Sequence, residues 1–304
     1  MGLFFENWLC RSSSGGHILT AREGITESQL KELQALLQRK MDSTDNPKLK
    51  LTENMEKKLS ELIAKRDAPD SLPSGAITHL EDVFRSQFWK RRRLLFNKFL
   101  DKGNYAEQEG LALKSFVDND FYEKNDEHFS NEYAQGTPDH VGEDLVIDIK
   151  CNYDMDSFDK AELTKIYEWQ LKFYLWLTGK TKGQLVYTLV NTPYHQLIAA
   201  KKTLWYQLNM PDQEEDRWIE AVQQLERNMI FDIEGFKEQW PAYDFENVVL
   251  DFDVHPVFRV KQFDVTLEKE DIEFIKSRVV MCREWLCNKE KEVLAIYEKL
   301  KQTA

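Results

Sequence analysis

The run Leu145-Val146-Ile147-Asp148-Ile149-Lys150 constrains this chain more than any other segment. Its β-branched and apolar residues suit a buried strand, and side chains alternate across a strand. Leu145, Ile147 and Ile149 therefore share one face, and Val146, Asp148 and Lys150 share the other. An aspartate and a lysine thus stand two residues apart on a face that is otherwise apolar. Burying such charges is costly unless they pair with each other or bind a metal. A cross-strand salt bridge at a sheet edge would also satisfy them, so this pair alone does not separate the two readings.

The residues before it narrow the choice. Gly136-Thr137-Pro138-Asp139 lies in an expected strand over Glu132–Val141, and Gly142-Glu143-Asp144 makes a turn into a second strand over Leu145–Cys151. A hairpin of this kind brings Asp139 alongside Asp148. Adjacent carboxylates repel, and a hard divalent cation such as Mg²⁺ or Mn²⁺ relieves the repulsion by taking oxygen ligands. Lys150 beside them would orient an attacking water or stabilise charge growing on phosphorus.

A third carboxylate comes from Lys102-Gly103-Asn104-Tyr105-Ala106-Glu107-Gln108-Glu109. Gly103 lets a helix begin, which places Glu107 in its first turns. Glu109 competes for the ligand role, and an acid there also complements the helix dipole. Further along, a helix is expected over Asp159–Thr178, stopping at Gly179. On it, Gln170 and Tyr174 are i and i+4 and share one face. From that face they either hydrogen-bond the carboxylates or a phosphate, or close off part of the core.

Around this centre, residues 1–100 are expected to form a helical region packed on a core, and residues 101–304 the core itself with a helical insertion at about 193–250. Leu30, Leu33, Leu36 and Leu37 recur at helical spacing, a second helix covers Met55–Lys65, and a third opens at Pro73. Later elements are a strand over Gln184–Asn191, a helix over about Glu214–Asn228, a strand over about Val257–Val265, and a final helix from Lys269. Lys90-Arg91-Arg92-Arg93 is the densest positive cluster. It is either a solvated helix end or a place for backbone phosphates.

The formal net charge is −12, from 41 basic and 53 acidic residues. That total opposes a polyanionic partner, yet affinity for phosphates follows local potential rather than the chain sum. No apolar run approaches the roughly 18–20 residues that span a bilayer. The opening MGLFFENWLC is too short and acidic for a secretory signal, so a cytoplasmic protein is expected (host cytoplasm if phage-encoded), with no membrane partner.

Taken in order, G-N-x-x-E, T-P-D, D-I-K and Q-x-x-x-Y resemble the PD-(D/E)XK nuclease superfamily. Within it they are similar to the phage lambda exonuclease/YqaJ and RecB-nuclease branch. The resemblance covers roughly residues 100–192, with the later strand and helix also fitting. It implies an α/β restriction-endonuclease-like core, a mixed central sheet flanked by helices, with helical additions at both ends. It also implies Mg²⁺- or Mn²⁺-dependent hydrolysis of DNA, from the 5′ ends of linear duplex, in phage recombination or replication. An endonuclease or a CRISPR-adaptation-type processing nuclease is the alternative within the class, and a catalytically silent DNA-binding module the alternative outside it.

Carried over residue by residue, Glu107, Asp139 and Asp148 would hold metal with the backbone carbonyl of Ile149. Lys150 would be the motif lysine, and Gln170 and Tyr174 would support the site. Arg11, Ser13 and Ser14, together with Thr137, resemble the branch's elements for holding a 5′-phosphate, although Ser13 or Ser14 reads equally as a plain helix cap. Some members carry an iron–sulfur cluster on four cysteines. Here Cys10, Cys282 and Cys287 supply three, so no cluster is expected. A single-strand annealing recombinase is the partner the branch suggests, and ring-forming members make a homo-oligomer an assembly it allows.

Overall fold

Seven residues, Leu145–Cys151, form the strand on which the rest of the core is arranged (β5). The computed structural model describes every residue except Met1, 20–26, 45, 68–70, 93–97, 213–214, 244–252 and Ala304. The described residues divide into two compact units. One comprises Met1–Leu9, Ser14–Arg92 and Glu273–Ala304; the other comprises Cys10–Ser13 and Arg93–Ile272.

In the larger unit, β5 is central to a mixed four-stranded sheet. It pairs antiparallel with β4 (His140–Val141) and parallel with β6 (Lys182–Thr188), which pairs antiparallel with β7 (Val260–Val265). A second sheet of three short strands orders β1 (Cys10–Arg11), β3 (Ala134–Gly136) and β2 (Phe129–Ser130).

Strand alternation sorts the core into two layers. Val146 joins Leu171, Tyr174 and Leu175 from α7 (Lys165–Thr178) on one face. Ile147 and Ile149 join Leu111 from α5 (Lys98–Asp118) on the other. A strand covered on both faces needs apolar residues almost throughout, which is why Leu145–Cys151 reads as nearly continuous hydrophobe. Gly110 permits the close approach of α5, because a Cβ there would sit 2.8 Å from both Ile149 Cγ2 and Thr188 Oγ1.

Several expectations need correction. The single strand over Glu132–Val141 is two strands, β3 and β4, in different sheets. The break falls at Thr137-Pro138-Asp139, where proline lacks the N–H a ladder needs. The helix expected over Asp159–Thr178 also divides: Asp159 ends one short helix, and Lys165–Thr178 forms another. The first is α6 (Met155–Asp159), opened by a capping box of Asp154 and Ser157; α7 starts afresh behind Thr164, whose hydroxyl accepts from Tyr167 N–H. Gly179 ends α7 at φ 70° as anticipated. Gly103 does not start a helix; α5 is already helical at Lys98. The insertion carries α9 (Asp216–Met229) near its expected place, but also α8 (Tyr194–Gln207) and α10 (Ile233–Gln239), which the sequence reading lacked. Before β7, Pro256–Arg259 forms a 3₁₀ turn rather than strand.

In the smaller unit, α2 (Glu27–Asp42) and α3 (Glu53–Asp67) bury Leu33, Leu36, Leu59 and Leu62 together, with Leu51 from the loop between them. α4 (Ser74–Gln87) contributes Phe84, which stacks on Phe5 with centroids 5.4 Å apart. The final helix, α11 (Lys269–Thr303), gives this unit Glu290, whose carboxylate accepts from Phe4 N–H (2.8 Å) and Phe5 N–H (3.2 Å).

Candidate active site

The β4–β5 hairpin turns at Gly142, whose N–H donates to Leu145 O (2.8 Å). Its register sets His140 opposite Ile147 and Val141 opposite Val146; one further step sets Asp139 opposite Asp148. β4 ends before that step, so the carboxylate takes over the edge of β5, and Ile149 N–H donates to Asp139 Oδ2 (2.6 Å). N–H and C=O of one strand residue point to the same neighbour, so the Ile149 carbonyl faces this edge as well.

Asp148 lies on the α7 face and is 1% exposed. Gln170 Nε2 donates to its Oδ1 (2.8 Å), and Lys150 Nζ stands 2.6 Å from its Oδ2. That second oxygen has ion contact with Lys150 but no hydrogen bond of good geometry. Gln170 Nε2 also reaches the Tyr174 hydroxyl (3.2 Å), and Lys150 Nζ lies 5.3 Å from the centre of the Tyr167 ring. The helical i, i+4 spacing thus works as expected: one turn of α7 presents amide and phenol together to the strand.

The electrostatics follow from burial. Desolvation pushes Asp139 well above the usual carboxylate range, and the Asp148 charge pushes it further, against the pull of Lys150. Burial raises Asp148 too, with Lys150 opposing. Burial disfavours the Lys150 charge, but the carboxylates of Asp148 and Asp139 outweigh it and hold the ammonium above its ordinary pKa. Tyr174 is raised by burial and then by Asp148, so it stays a phenol.

Glu107 acts on this centre through its charge, raising both aspartates, while its carboxylate pairs with Lys124 (3.1 Å). Glu109 points elsewhere and accepts from Gln239 (3.0 Å). Between the two acids, Glu107 is the one coupled to the aspartates.

Among the described residues, no three of Asp, Glu, His and Cys converge into a ready-made metal cluster. The donor chemistry nonetheless fits a hard cation. Asp148 is buried and Asp139 half-buried beside it, the Asp148 charge raises Asp139, and a third carboxylate, Glu107, raises both.

The remaining candidates fall into two places. Arg11 is in β1, opposite Gln135. α1 (Ser12–Leu19) starts at Ser12, so Ser13 and Ser14 are in its first turn and do not cap it; Ser13 is exposed and Ser14 half-buried. Ser12, which the sequence reading passed over, is buried and donates to Gln135 O (3.0 Å). Thr137 is exposed, with Oγ1 3.1 Å from His128 Nδ1. Lys90, Arg91 and Arg92 are exposed residues just past α4, in the smaller unit, and Arg93 lies outside the described residues.

Lys124, Tyr167 and His128 were also not foreseen. Tyr167 could have been found, since it lies on the same face of α7 as Gln170 and Tyr174. Lys124 and His128 lie in irregular chain with no periodicity to read.

No protein-family model matches the chain, and no curated protein matches it. Solved structures do. The crystal structure of a phage-related exonuclease from Haemophilus somnus 129PT superposes with a TM-score of 0.57 at 17% identity, covering 94% of this chain and 97% of that one. An alkaline exonuclease from Laribacter hongkongensis is similar at 11% identity and a TM-score of 0.45, covering 75% of this chain and 88% of that one. The first likeness establishes the fold. It is the α/β fold of a phage-related exonuclease, a mixed sheet flanked by helices, in keeping with the PD-(D/E)XK expectation.

Proposed function

We propose that this chain is a metal-dependent deoxyribonuclease, acting as an exonuclease on the 5′ ends of linear duplex DNA. The observation that carries the reading is the buried Asp148. It is held by Gln170 on one oxygen and by Lys150 on the other, with Asp139 anchored at the adjacent strand edge. Asp139, Asp148 and the Ile149 carbonyl, joined by Glu107 on release from Lys124, would hold Mg²⁺ or Mn²⁺. When bound, such a cation would supply Lewis acidity toward a phosphoryl oxygen.

The chain's own residues do the rest. Gln170 fixes the rotamer of Asp148, and Tyr174 holds the amide of Gln170 in place. Lys150 remains an ammonium, so it acts as a positioning and charge-stabilising cation, not as a base. In the reaction, a water oxygen bonds to phosphorus and the bond to the leaving sugar oxygen breaks, while the proton lost by water is balanced by one gained at the leaving oxygen. The neighbourhood of Arg11, Ser12 and Thr137 supports a role in holding a terminal phosphate. The biological setting proposed is phage recombination or replication.

The test incubates purified protein with linear 5′-phosphorylated duplex and Mg²⁺, beside an EDTA control and Asp148→Ala. Mononucleotide release that both controls abolish supports the reading. Absence of cleavage with Mg²⁺ or Mn²⁺ on linear, circular and single-stranded DNA overturns it in favour of a silent DNA-binding module.

A further inference from the structure

A second polar centre lies on the α5 side of the sheet and shares none of Glu107, Asp139, Asp148, Lys150, Gln170 and Tyr174. A cavity of about 710 Å³ opens between α5, α10, the end of β6 and the Pro256–Arg259 turn. Arg259 lines it and is 7% exposed, yet its guanidinium makes no hydrogen bond or ion pair among the described residues, and its Nε is buried without a partner. Its main chain is held, since Arg259 O accepts from Leu189 N–H just past β6 (2.9 Å), so the 3₁₀ turn presents the side chain to the cavity from a fixed anchor.

Asp232 and Asp253 act on the guanidinium only through space. Both are committed to starting α10: Asp232 Oδ1 accepts from Gly235 N–H (2.9 Å) and Asp253 Oδ1 from Ile233 N–H (2.9 Å). They make a buried cation tolerable without occupying its donors. A buried guanidinium with unused donors calls for a ligand, and its planar fork matches the oxygens of a phosphate or carboxylate.

The rest of the wall says what the anion is attached to. Leu113, Val190 and Pro256 are apolar, and Phe116 is 71% exposed for so large a ring. An aromatic face beside apolar side chains is a stacking platform for a planar heterocycle. Glu238 and Glu109 place carboxylates in the same wall. Glu109 already accepts from Gln239 (3.0 Å), so Glu238 is the acceptor for an exocyclic amine, and these carboxylates with Asp232 disfavour any second phosphate.

We propose that this cavity binds a nucleoside monophosphate, with Arg259 on the phosphate and Phe116 against the base. The choice of ligand rests on the nucleic-acid reading above. The nucleotide is either free, as a cleavage product, or the terminal unit of a single strand.

The test is calorimetric titration of the full chain in EDTA with deoxyadenosine and deoxycytidine monophosphates. Inorganic phosphate and a short single strand with a terminal phosphate are run beside them. Saturable mononucleotide binding is expected, weakened at least tenfold by Arg259→Gln and several-fold by Phe116→Ala, and unchanged by Asp148→Asn. Phe116 is exposed, so its variant reports on the site even where Arg259→Gln unfolds. A tighter grip on the oligonucleotide than on the free nucleotide assigns the site to a strand end; the reverse assigns it to product.

No saturable binding overturns the proposal. So does binding lost in Asp148→Asn but kept in Arg259→Gln, or phosphate binding as tightly as nucleotide with Phe116→Ala silent. Cleavage with Mg²⁺ is scored separately. A chain that cleaves but does not bind loses this site alone, and one that binds but does not cleave loses only the proposed activity.

Discussion

Ile149 gives its main-chain N–H to the carboxylate of Asp139 at 2.6 Å, so the side chain of one strand's end replaces the ladder partner that the other strand lacks. A residue the resemblance assigns to chemistry is thereby also part of the sheet. Substitutions at Asp139 should cost stability as well as activity. Lys150 is better suited to isolating the chemistry.

Lys150→Ala should cleave DNA at least ~10²-fold more slowly than the parent, the scale of removing one preorganised charge from a transition state. Among the described residues its carboxylate ion pair is with Asp148, at 2.6 Å. Rates on linear duplex, with circular dichroism to confirm folding, decide the point; parent-like turnover would remove Lys150 from the mechanism.

Without metal, stability should fall as pH rises above the ordinary carboxylate value of about 4. Asp139 and Asp148 are both held above that value in the folded chain, chiefly by burial. The native state therefore binds more protons than the unfolded one. The favourable contribution is complete below the unfolded pKa and is lost as pH passes the raised folded one. Mn²⁺ or Mg²⁺ should raise Tm most at the alkaline end of this range, and Asp148→Asn should blunt that rise. A Tm indifferent to both cations across the range would argue against a carboxylate metal site.

Lys102 carries the opposite sign. It is fully buried, its Nζ donates to Tyr153 O (3.0 Å) and Thr192 Oγ1 (2.9 Å), and burial lowers its pKa to about 7. Between that value and the unfolded one near 10.5, the unfolded chain binds the extra proton, so stability attributable to Lys102 rises with pH. Lys102→Met should remove this slope. The quantity to measure is the Tm difference between parent and variant at pH 7 and at pH 9.5; a difference constant with pH would show that Lys102 is not titrating there.

Gly110→Ala sets two effects against each other. Alanine in a helix interior gains about 1 kcal/mol over glycine, whereas overpacking a core costs about 1–3 kcal/mol. Here the new Cβ meets a β-branched methyl and a hydroxyl at 2.8 Å and the Cys151 sulfur at 3.0 Å, none of them the end of a flexible chain. Overpacking should win. Denaturant unfolding should show net destabilisation, and metal affinity should weaken because α5 also carries Glu107. A stabilised variant would mean that α5 can shift without consequence.

What the sequence disclosed follows from periodicity. Leu145–Cys151 could be read to the residue because strand alternation and burial on two faces leave few alternatives. Gln170 and Tyr174 could be paired because helical spacing is rigid. The break at Pro138 was harder, since Glu132–Val141 alternates well enough for one strand, and only pairing partners reveal that the chain changes sheets there. α8 follows Pro193 with apolar residues scattered around its circumference, so no stripe marked it. Lys124 and Arg259 owe their positions to contacts from distant segments, which no local pattern encodes.

Asp139 comes to the edge of β5 beside Asp148 because three turn residues, Gly142 to Asp144, bring β4 back onto β5 in one register. One residue more or fewer would move Asp139 off its partner and turn its side of the strand over. The turn can therefore vary in composition more readily than in length. Among chains as divergent as 17% identity, residue matching says little. The count between the two acids is the trait on which their placement at one strand edge depends.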